Sequence, residues 1–118
     1  MKKNLILVFL LCWMTNAFAE KTTKEQMVES ICGDASDYAK QVMNGRHVGV
    51  TIRDALRIAN SANMPEPKNT YFKSIIYDAY KYPMIYDGNL QVVAESEFSN
   101  KVFMTCSDAI FKEFSDIT

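Results

Sequence analysis

The sequence predicts an all-α protein, a small bundle of about four helices joined by one disulfide bond. Apolar residues recur at intervals of three and four along several segments, which is the spacing of one face of a helix. No segment of useful length alternates between apolar and polar residues, so strands are not expected. The 118-residue chain contains no repeat, linker or low-complexity tract after its first 19 residues, and residues 20–118 are therefore expected to form a single helical domain.

The first 19 residues have the features of a secretory signal peptide. Lys2 and Lys3 precede an apolar run over residues 5–14, and the sequence AFA at 17–19 places small residues at positions −3 and −1 of a cleavage site. The run is shorter than the roughly 20 residues of a membrane-spanning helix, so no stable membrane anchor is expected. We predict cleavage after Ala19 and a periplasmic or secreted protein.

Two cysteines remain after that cleavage, Cys32 and Cys106. An even number of cysteines in an exported chain indicates a disulfide bond. The bond would close a loop of about 75 residues, which stabilises by roughly 4–5 kcal/mol in the chain-entropy model. The alternative is a pair of reactive thiols, but the sequence has no Cys-x-x-Cys motif and no histidine close to either cysteine.

The first helix is the most strongly patterned element. Thr23 and Gln26 form a capping box at its start, and Asn44-Gly45 is the expected stop. Cys32 lies at the edge of the apolar face, where it can point towards a partner helix. That face consists of Met27, Val28, Ile31, Ala35, Tyr38, Ala39, Val42 and Met43.

The second and third helices are shorter. Thr51 and Asp54 form a weaker capping box for the second helix, which ends in the loop NSANMPEP, where prolines and short polar residues disfavour helix. The third helix is predicted over residues 69–80, because Pro83 disfavours a helical conformation at Tyr82. Its apolar face consists of Tyr71, Phe72, Ile75, Ile76 and Ala79.

The fourth helix is predicted to begin at Asp87 or Asn89 and to reach Phe114. It carries more than one apolar face, which is typical of a helix at the centre of a bundle or of one that bends partway. Ser99-Asn100 is the expected bend. One face is the row Leu90, Ala94, Phe98, Val102, Cys106 and Ile110, and the residues that point elsewhere are Val93, Phe103, Met104 and Phe111.

The segment YDAYKYPMIYDG, residues 77–88, holds four tyrosines around a proline. The helical wheel places Tyr77 far from the apolar face, so its side chain is expected to be exposed. Two interpretations of the others are open. Tyr82 and Tyr86 either close the end of the core, or they join Tyr77 and Met84 in a partner-binding surface, since tyrosine and methionine are enriched at interfaces.

Arg46 and His47 lie in the segment GRHVGV after a helix C-terminus, where positive charge is favourable. We interpret them as partners of that helix end, with contact to an anion or a protein partner as the alternative. A catalytic or metal-binding role is not predicted, because His47 is the only histidine and both cysteines are assigned to the disulfide. The carboxylates of Asp34, Asp37 and Glu95 are expected to be solvated surface charges.

Several classes of function find no support in the sequence. It contains no phosphate-binding loop, nucleophile elbow or calcium-binding loop, so neither an enzyme nor a cofactor is expected. Without the lysines of the signal peptide, 11 basic side chains stand against 14 acidic ones. This mild acidity gives no basic surface for nucleic acid.

Two segments together resemble a known family. CGDASDYAKQVMNGRHVGVTIRDAL (residues 32–56) is similar to a pattern of cysteine, helical alanines and Met-x-x-Arg-x-x-Gly, and IIYDAYKYPMIYDGNLQVVAESEFSNKVFMTC (residues 75–106) to Ala-Tyr-x-x-Pro followed by a helix that ends in a second cysteine. They resemble small exported two-cysteine proteins of gammaproteobacteria and their phages, generally without assigned function. The family usually has Arg-Gln where this chain has Arg46-His47. The resemblance implies a disulfide-linked helical fold in the cell envelope and no catalytic residue.

We therefore expect a small non-enzymatic periplasmic protein that binds and modulates an envelope protein, as inhibitors, immunity factors and superinfection-exclusion factors do. Small size, export, a disulfide and the lack of a catalytic motif are the basis. Two alternatives stay open. One is an acid-activated periplasmic chaperone, because protonation of the 14 carboxylates would leave 11 positive charges. The other is a structural or assembly factor, a homodimer formed through apolar surface of the fourth helix.

Overall fold

The computed structural model describes residues 23–115, and the predicted signal peptide (residues 1–19) lies outside this range. The described chain is helical without strands, as the sequence predicts. Residues 23–27 are helical and continue through a π-helical segment, Val28–Cys32, into the first long helix. The four α-helices are α1 (Gly33–His47), α2 (Ile52–Ser61), α3 (Lys68–Lys81) and α4 (Gly88–Ser115).

Helices α1 and α4 run antiparallel and form the most extensive helix pair of the fold. The predicted disulfide Cys32–Cys106 is confirmed, with its two Cα atoms 5.5 Å apart. Further along the pair, Ser99 Oγ donates a hydrogen bond to the backbone carbonyl of Ser36 at 2.9 Å. A side chain as short as serine reaches a carbonyl on the neighbouring helix only where the two backbones approach closely, so the helices are tightly packed here.

The core lies between α1, α3 and α4, and α2 packs against α3. Small residues on α1 allow close packing, while α3 and α4 supply the larger side chains. The buried residues of this cluster are Ala35, Ala39, Met43, Phe72, Ile75, Ala79, Ala94, Phe98 and Val102. A second cluster surrounds the disulfide and consists of Val28, Cys32 and Cys106, with Phe103 and Ile110 packed against it.

The π-helical segment changes which residues of the first helix face the core. Ile31, predicted on the apolar face, is exposed, and Cys32, predicted at its edge, is fully buried. A π-turn contains more residues than an α-turn, so it rotates the residues within it relative to the regular α-helical pattern. That rotation turns Cys32 towards α4.

The end of α1 differs from the prediction. The helix does not stop at Asn44-Gly45 but continues to His47. The next turn of the chain is made by Gly49, whose φ of +101° strongly favours glycine. Gly45 remains inside the helix, and a Cβ there would lie 3.5 Å from Cγ2 of Val50. The extra turn carries Arg46 and His47 to their partners on α3 and α4.

Helix α4 also departs from expectation. It continues through Ser99-Asn100 without a break, because Ser99 points towards α1 rather than interrupting the helix. Leu90, predicted on the buried row, is exposed. The last turn of α1 reaches α4 at Glu95, so the first turns of α4 extend beyond the end of α1. None of the described helices is both long and apolar enough to cross a membrane.

Helices α2, α3 and α4 each begin beside a side chain that accepts a hydrogen bond from a backbone amide of the first turn. The Thr51 hydroxyl accepts a hydrogen bond from the Asp54 amide at 3.2 Å, as predicted for α2. Asp87 caps α4 by accepting from the amides of Asn89 and Leu90 at 2.9 and 3.3 Å. The start of α3 is stabilised by Glu66, whose carboxylate accepts from the Thr70 hydroxyl at 2.6 Å and from the Thr70 amide at 3.3 Å.

The Glu66 contacts predict a pH dependence of stability. Hydrogen bonds from the Thr70 side chain, together with those from Asn69 and the Thr70 amide, hold the pKa of Glu66 below its ordinary value of 4.5. Because this pKa is lowered in the folded state, the contribution is fully present above pH 4.5 and is lost as the pH falls through the folded value. We expect Thr70→Val to return the carboxyl pKa towards 4.5 in an NMR titration. An unchanged titration of Glu66 in that variant would contradict the assignment.

The disulfide predicts a large loss of stability on removal. Cys32 and Cys106 are 74 residues apart, so Cys32→Ala/Cys106→Ala frees a long loop in the unfolded chain. We expect the free energy of unfolding in urea to fall by about 2–5 kcal/mol. The native chain unfolded after reduction is the control and should match the variant. A loss below about 1 kcal/mol would show that the bond adds little to the packing of α1 on α4.

Candidate partner-binding surface

Arg46, in the last turn of α1, binds the C-terminal end of α3. Its Nη1 donates to the carbonyl of Ala79 at 2.8 Å and to the carbonyl of Tyr82. The guanidinium also lies 5.3 Å from the centroid of the Tyr80 ring. The last carbonyls of a helix have no partner within the helix and carry partial negative charge. Arg46 therefore satisfies the end of α3 and fixes where the chain leaves it.

Tyr80, on α3, provides a second attachment between α3 and the chain that follows α1. Its hydroxyl donates a hydrogen bond to the carbonyl of Val50, in the loop between α1 and α2. Burial raises the pKa of the Tyr80 phenol, although the neighbouring Arg46 guanidinium opposes the shift. The phenol therefore remains a hydrogen-bond donor at neutral pH, and the loop is attached to α3.

His47 binds α4 instead. Its Nδ1 lies 3.1 Å from Oε1 of Glu95, and Asn44 Nδ2 donates to the same oxygen at 3.3 Å. The His47 side chain is 2% exposed and that of Glu95 is 9% exposed. The expectation that Glu95 is a solvated surface charge is wrong, because it is enclosed by the end of α1. Asp37 is exposed as predicted, and so is Asp34.

The four tyrosines of the segment 77–88 divide between core and surface. Tyr82 is half-buried, with its ring centroid 5.2 Å from that of Phe98 in an edge-on contact. Lys101 Nζ lies 5.8 Å from the Tyr82 ring. Tyr80 borders the core cluster. Tyr82 therefore matches the core interpretation, and it closes the end of the bundle.

The other predicted residues are exposed. Tyr77 is 51% exposed, as the helical wheel predicts, Met84 is 40% exposed and Tyr86 is 87% exposed. We call Tyr77, Met84 and Tyr86 the exposed tyrosine surface. The loop that carries two of them is held in place, because Ile85 packs against the core and its carbonyl accepts a hydrogen bond from Gln91 Nε2 at 2.6 Å.

A groove adjoins this surface between α3 and α4, which scarcely approach each other. It consists of two depressions of about 430 and 710 Å³ that share Tyr71 and Thr105 on their walls. The smaller one reaches Tyr82 and Pro83. The larger one extends to the disulfide at Cys106 and is mainly apolar. The groove thus leads from the residues directly before Met84 towards the disulfide end of the helix pair.

The described residues offer neither a metal-binding cluster nor an accessible imidazole. Within residues 23–115 no group of three His, Cys, Asp or Glu side chains could hold a metal ion. The His47 ring is almost completely enclosed, and its Nε2 has no hydrogen-bond partner in the described chain. Such a ring cannot reach a substrate without movement of α4. From the sequence, Arg46 and His47 are interpreted as partners of the end of their own helix, with contact to an anion or a protein partner as the alternative. They instead bind the end of α3 and Glu95 of α4, inside the fold.

The comparisons with known proteins give no relative: the chain matches no protein-family model, no curated protein and no solved structure. The resemblance to small exported two-cysteine proteins therefore remains a hypothesis that rests on segments 32–56 and 75–106.

Neither the burial of Glu95 nor the groove follows from the pattern of the sequence. The i, i+3 spacing of Asn44 and His47 places both on one helix face, so a shared partner could have been predicted if α1 had been extended past Gly45. The identity of that partner could not, because it depends on how α1 lies against α4. The groove depends on the separation of α3 and α4, for which the sequence carries no local pattern.

The Asn44–His47–Glu95 cluster predicts a marked effect of Glu95→Ala. The change leaves the buried His47 ring and the Asn44 amide without their acceptor, which costs about 1–3 kcal/mol of unfolding free energy. Glu29→Ala, which removes an exposed glutamate of the first helical segment, is the matched control. Urea unfolding at one protein concentration gives both values, and equal losses would show that the cluster does not stabilise the fold.

Proposed function

We propose that this chain is a small exported, non-enzymatic binding protein that modulates a protein of the cell envelope, and that the exposed tyrosine surface is its contact. The inhibitor, immunity or superinfection-exclusion types of activity fit such a protein. The proposal includes export through residues 1–19, cleavage after Ala19 and a periplasmic or secreted location.

The observation that carries the proposal is the exposure of large side chains on a fixed backbone. Tyr86 is 87% exposed, although the loop that bears it is anchored by Arg46 at Tyr82 and by Gln91 at Ile85. Tyrosine and methionine are enriched at protein interfaces. A loop held in one conformation also loses little conformational entropy when it binds, and this favours affinity.

The groove supports an interface of sufficient size. A specific interface buries about 800 Å² on each partner, which exceeds what three side chains provide. The groove begins at Tyr82 and Pro83, directly before Met84 in the chain, so a partner seated on the exposed tyrosine surface can extend into it. The exposed tyrosine surface is then the centre of the interface, and the groove is its continuation.

Export is supported by the disulfide and by the sequence of residues 1–19. Disulfide bonds persist in oxidising compartments and are rare in the cytosol of mesophiles, and Cys32 and Cys106 are bonded here. The resemblance to small exported two-cysteine proteins agrees with this location. Mass spectrometry of the protein isolated from the periplasm of a producing cell tests cleavage after Ala19.

The test of binding compares two variants that each remove two exposed apolar side chains. The oxidised protein is immobilised, envelope extract is passed over it, and each captured protein is purified and titrated against the native chain. We expect Tyr77→Ser/Tyr86→Ser to weaken that titrated binding by at least about 100-fold, since interface tyrosines often contribute about 2 kcal/mol or more. Tyr82 is left unchanged because it packs against Phe98.

Val48→Ser/Ile58→Ser is the matched control, because both side chains are exposed and belong to the α1–α2 loop and to α2. This control should bind the purified partner as the native chain does. If both double variants bind equally well, the contact is elsewhere on the molecule. If the native chain captures no stoichiometric partner at high protein concentration, the proposed function is wrong.

A further inference from the structure

The outer face of α4, which points away from α1, carries large apolar side chains that no described helix covers. Met104 is 65% exposed, and Val93 and Phe111 are about half exposed. At 100° per residue these three positions fall within a narrow stripe along α4. The opposite face of α4 carries the buried residues Phe98 and Val102. The stripe is therefore a second apolar face with nothing packed on it within residues 23–115.

Four charged residues follow one flank of this stripe, and their signs alternate. They are all exposed. Consecutive members are four, seven and four residues apart, so the spacing is the same when it is read from either end of the helix. The signs read in reverse order are the opposite of those read forwards. The residues are Glu97, Lys101, Asp108 and Lys112.

This pattern is complementary to itself when two copies of α4 pack antiparallel. Around a two-fold axis the same surface serves both subunits, and if residue i contacts residue j then j contacts i. In an antiparallel helix pair each flank faces the same flank of the other helix. One register then places Glu97 opposite Lys112 and Lys101 opposite Asp108, and symmetry repeats both pairs. In a parallel two-fold pair this flank would face the opposite flank of the other helix, so the four charges would not meet one another.

We propose that the chain forms a two-fold symmetric homodimer through antiparallel packing of the outer faces of α4. In the register set by the charges, the two Met104 side chains meet near the axis. Each Phe111 lies beside the segment of the second copy that contains Glu97 and Asn100. Residues 94–115 overlap, a helical length of about 33 Å at 1.5 Å per residue. This interface does not include Tyr77, Met84 or Tyr86, but Lys101 also lines the groove, 5.8 Å from the Tyr82 ring. The inference does not depend on the proposed function.

The test uses two charge reversals that complement each other. Lys101→Glu places two pairs of like charges across the axis, and so does Asp108→Lys. We expect each variant alone to raise the dimer dissociation constant at least about tenfold, measured by sedimentation equilibrium at low salt.

An equimolar mixture of the two variants restores opposite charges at both contacts. In the mixed dimer, the glutamate introduced at position 101 of one subunit faces the lysine introduced at position 108 of the other. The second contact keeps the native Lys101 and Asp108. The mixture should therefore form heterodimers at close to native affinity.

The double variant Lys101→Glu/Asp108→Lys distinguishes pairing between chains from effects within one helix. Within α4, Lys101 is four residues from Glu97 and Asp108 is four residues from Lys112, so both reversals slightly disfavour the helix. If the charges act only within α4, the double variant has the highest dimer dissociation constant of all the variants. If the charges pair across the axis, the double variant dimerises with close to native affinity. Helix content from circular dichroism is recorded for every variant.

Two further variants complete the design. Met104→Asp places two carboxylates near the axis and should abolish the dimer. Lys40→Glu reverses an exposed charge on α1 and should leave the dissociation constant unchanged. A native chain that is monomeric at several hundred micromolar overturns the proposal. Charge variants that associate like the native chain, singly and mixed, overturn it as well.

Discussion

The fold depends on two attachments between α1 and α4, one at each end of this helix pair. The disulfide Cys32–Cys106 joins one end, and Glu95 accepts from Asn44 and His47 at the other. These two attachments fix the direction and the register of the antiparallel pair, so the small residues between them can pack closely. Helix α3 is then placed by Arg46, which extends from the same turn of α1 to the last carbonyls of α3. One turn of α1 thus positions both neighbouring helices.

The position of that turn explains why the segment 77–86 is presented as it is. Arg46 binds the Tyr82 carbonyl and Tyr82 packs on Phe98 of α4, so the chain leaves α3 along a fixed path. The next residues have no described helix to cover them, and Tyr86 points away from the core. The rigid end of the bundle therefore supports large exposed side chains, a combination that a core-closing role alone does not require.

Local patterns predict most of the fold, whereas the features that the sequence does not reveal depend on long-range contacts. The caps at Thr51 and Asp87 and the apolar face of α3 depend on neighbours within a few residues, and they are predicted. The extension of α1 depends on contacts of its last turn with α3 and α4, and the burial of Glu95 depends on its place opposite α1. The same holds for the candidate site. The exposure of Tyr77 is predicted from the helical wheel, whereas the partial burial of Tyr82 and the exposure of Tyr86 depend on how the chain after α3 lies against α4.

The two proposed surfaces lie on different parts of the molecule, and their arrangement has a consequence for binding. The exposed tyrosine surface follows α3 and adjoins the N-terminal end of α4, whereas the dimer axis passes near Met104 in its C-terminal half. Antiparallel packing directs the N-terminal ends of the two α4 helices away from each other. The proposed dimer would therefore present its two tyrosine surfaces at opposite ends. Two partner molecules could then bind at once, whereas a single compact partner could not contact both surfaces. A gain in affinity through bivalency then requires partners that are themselves clustered or oligomeric, because simultaneous engagement depends on the span between sites.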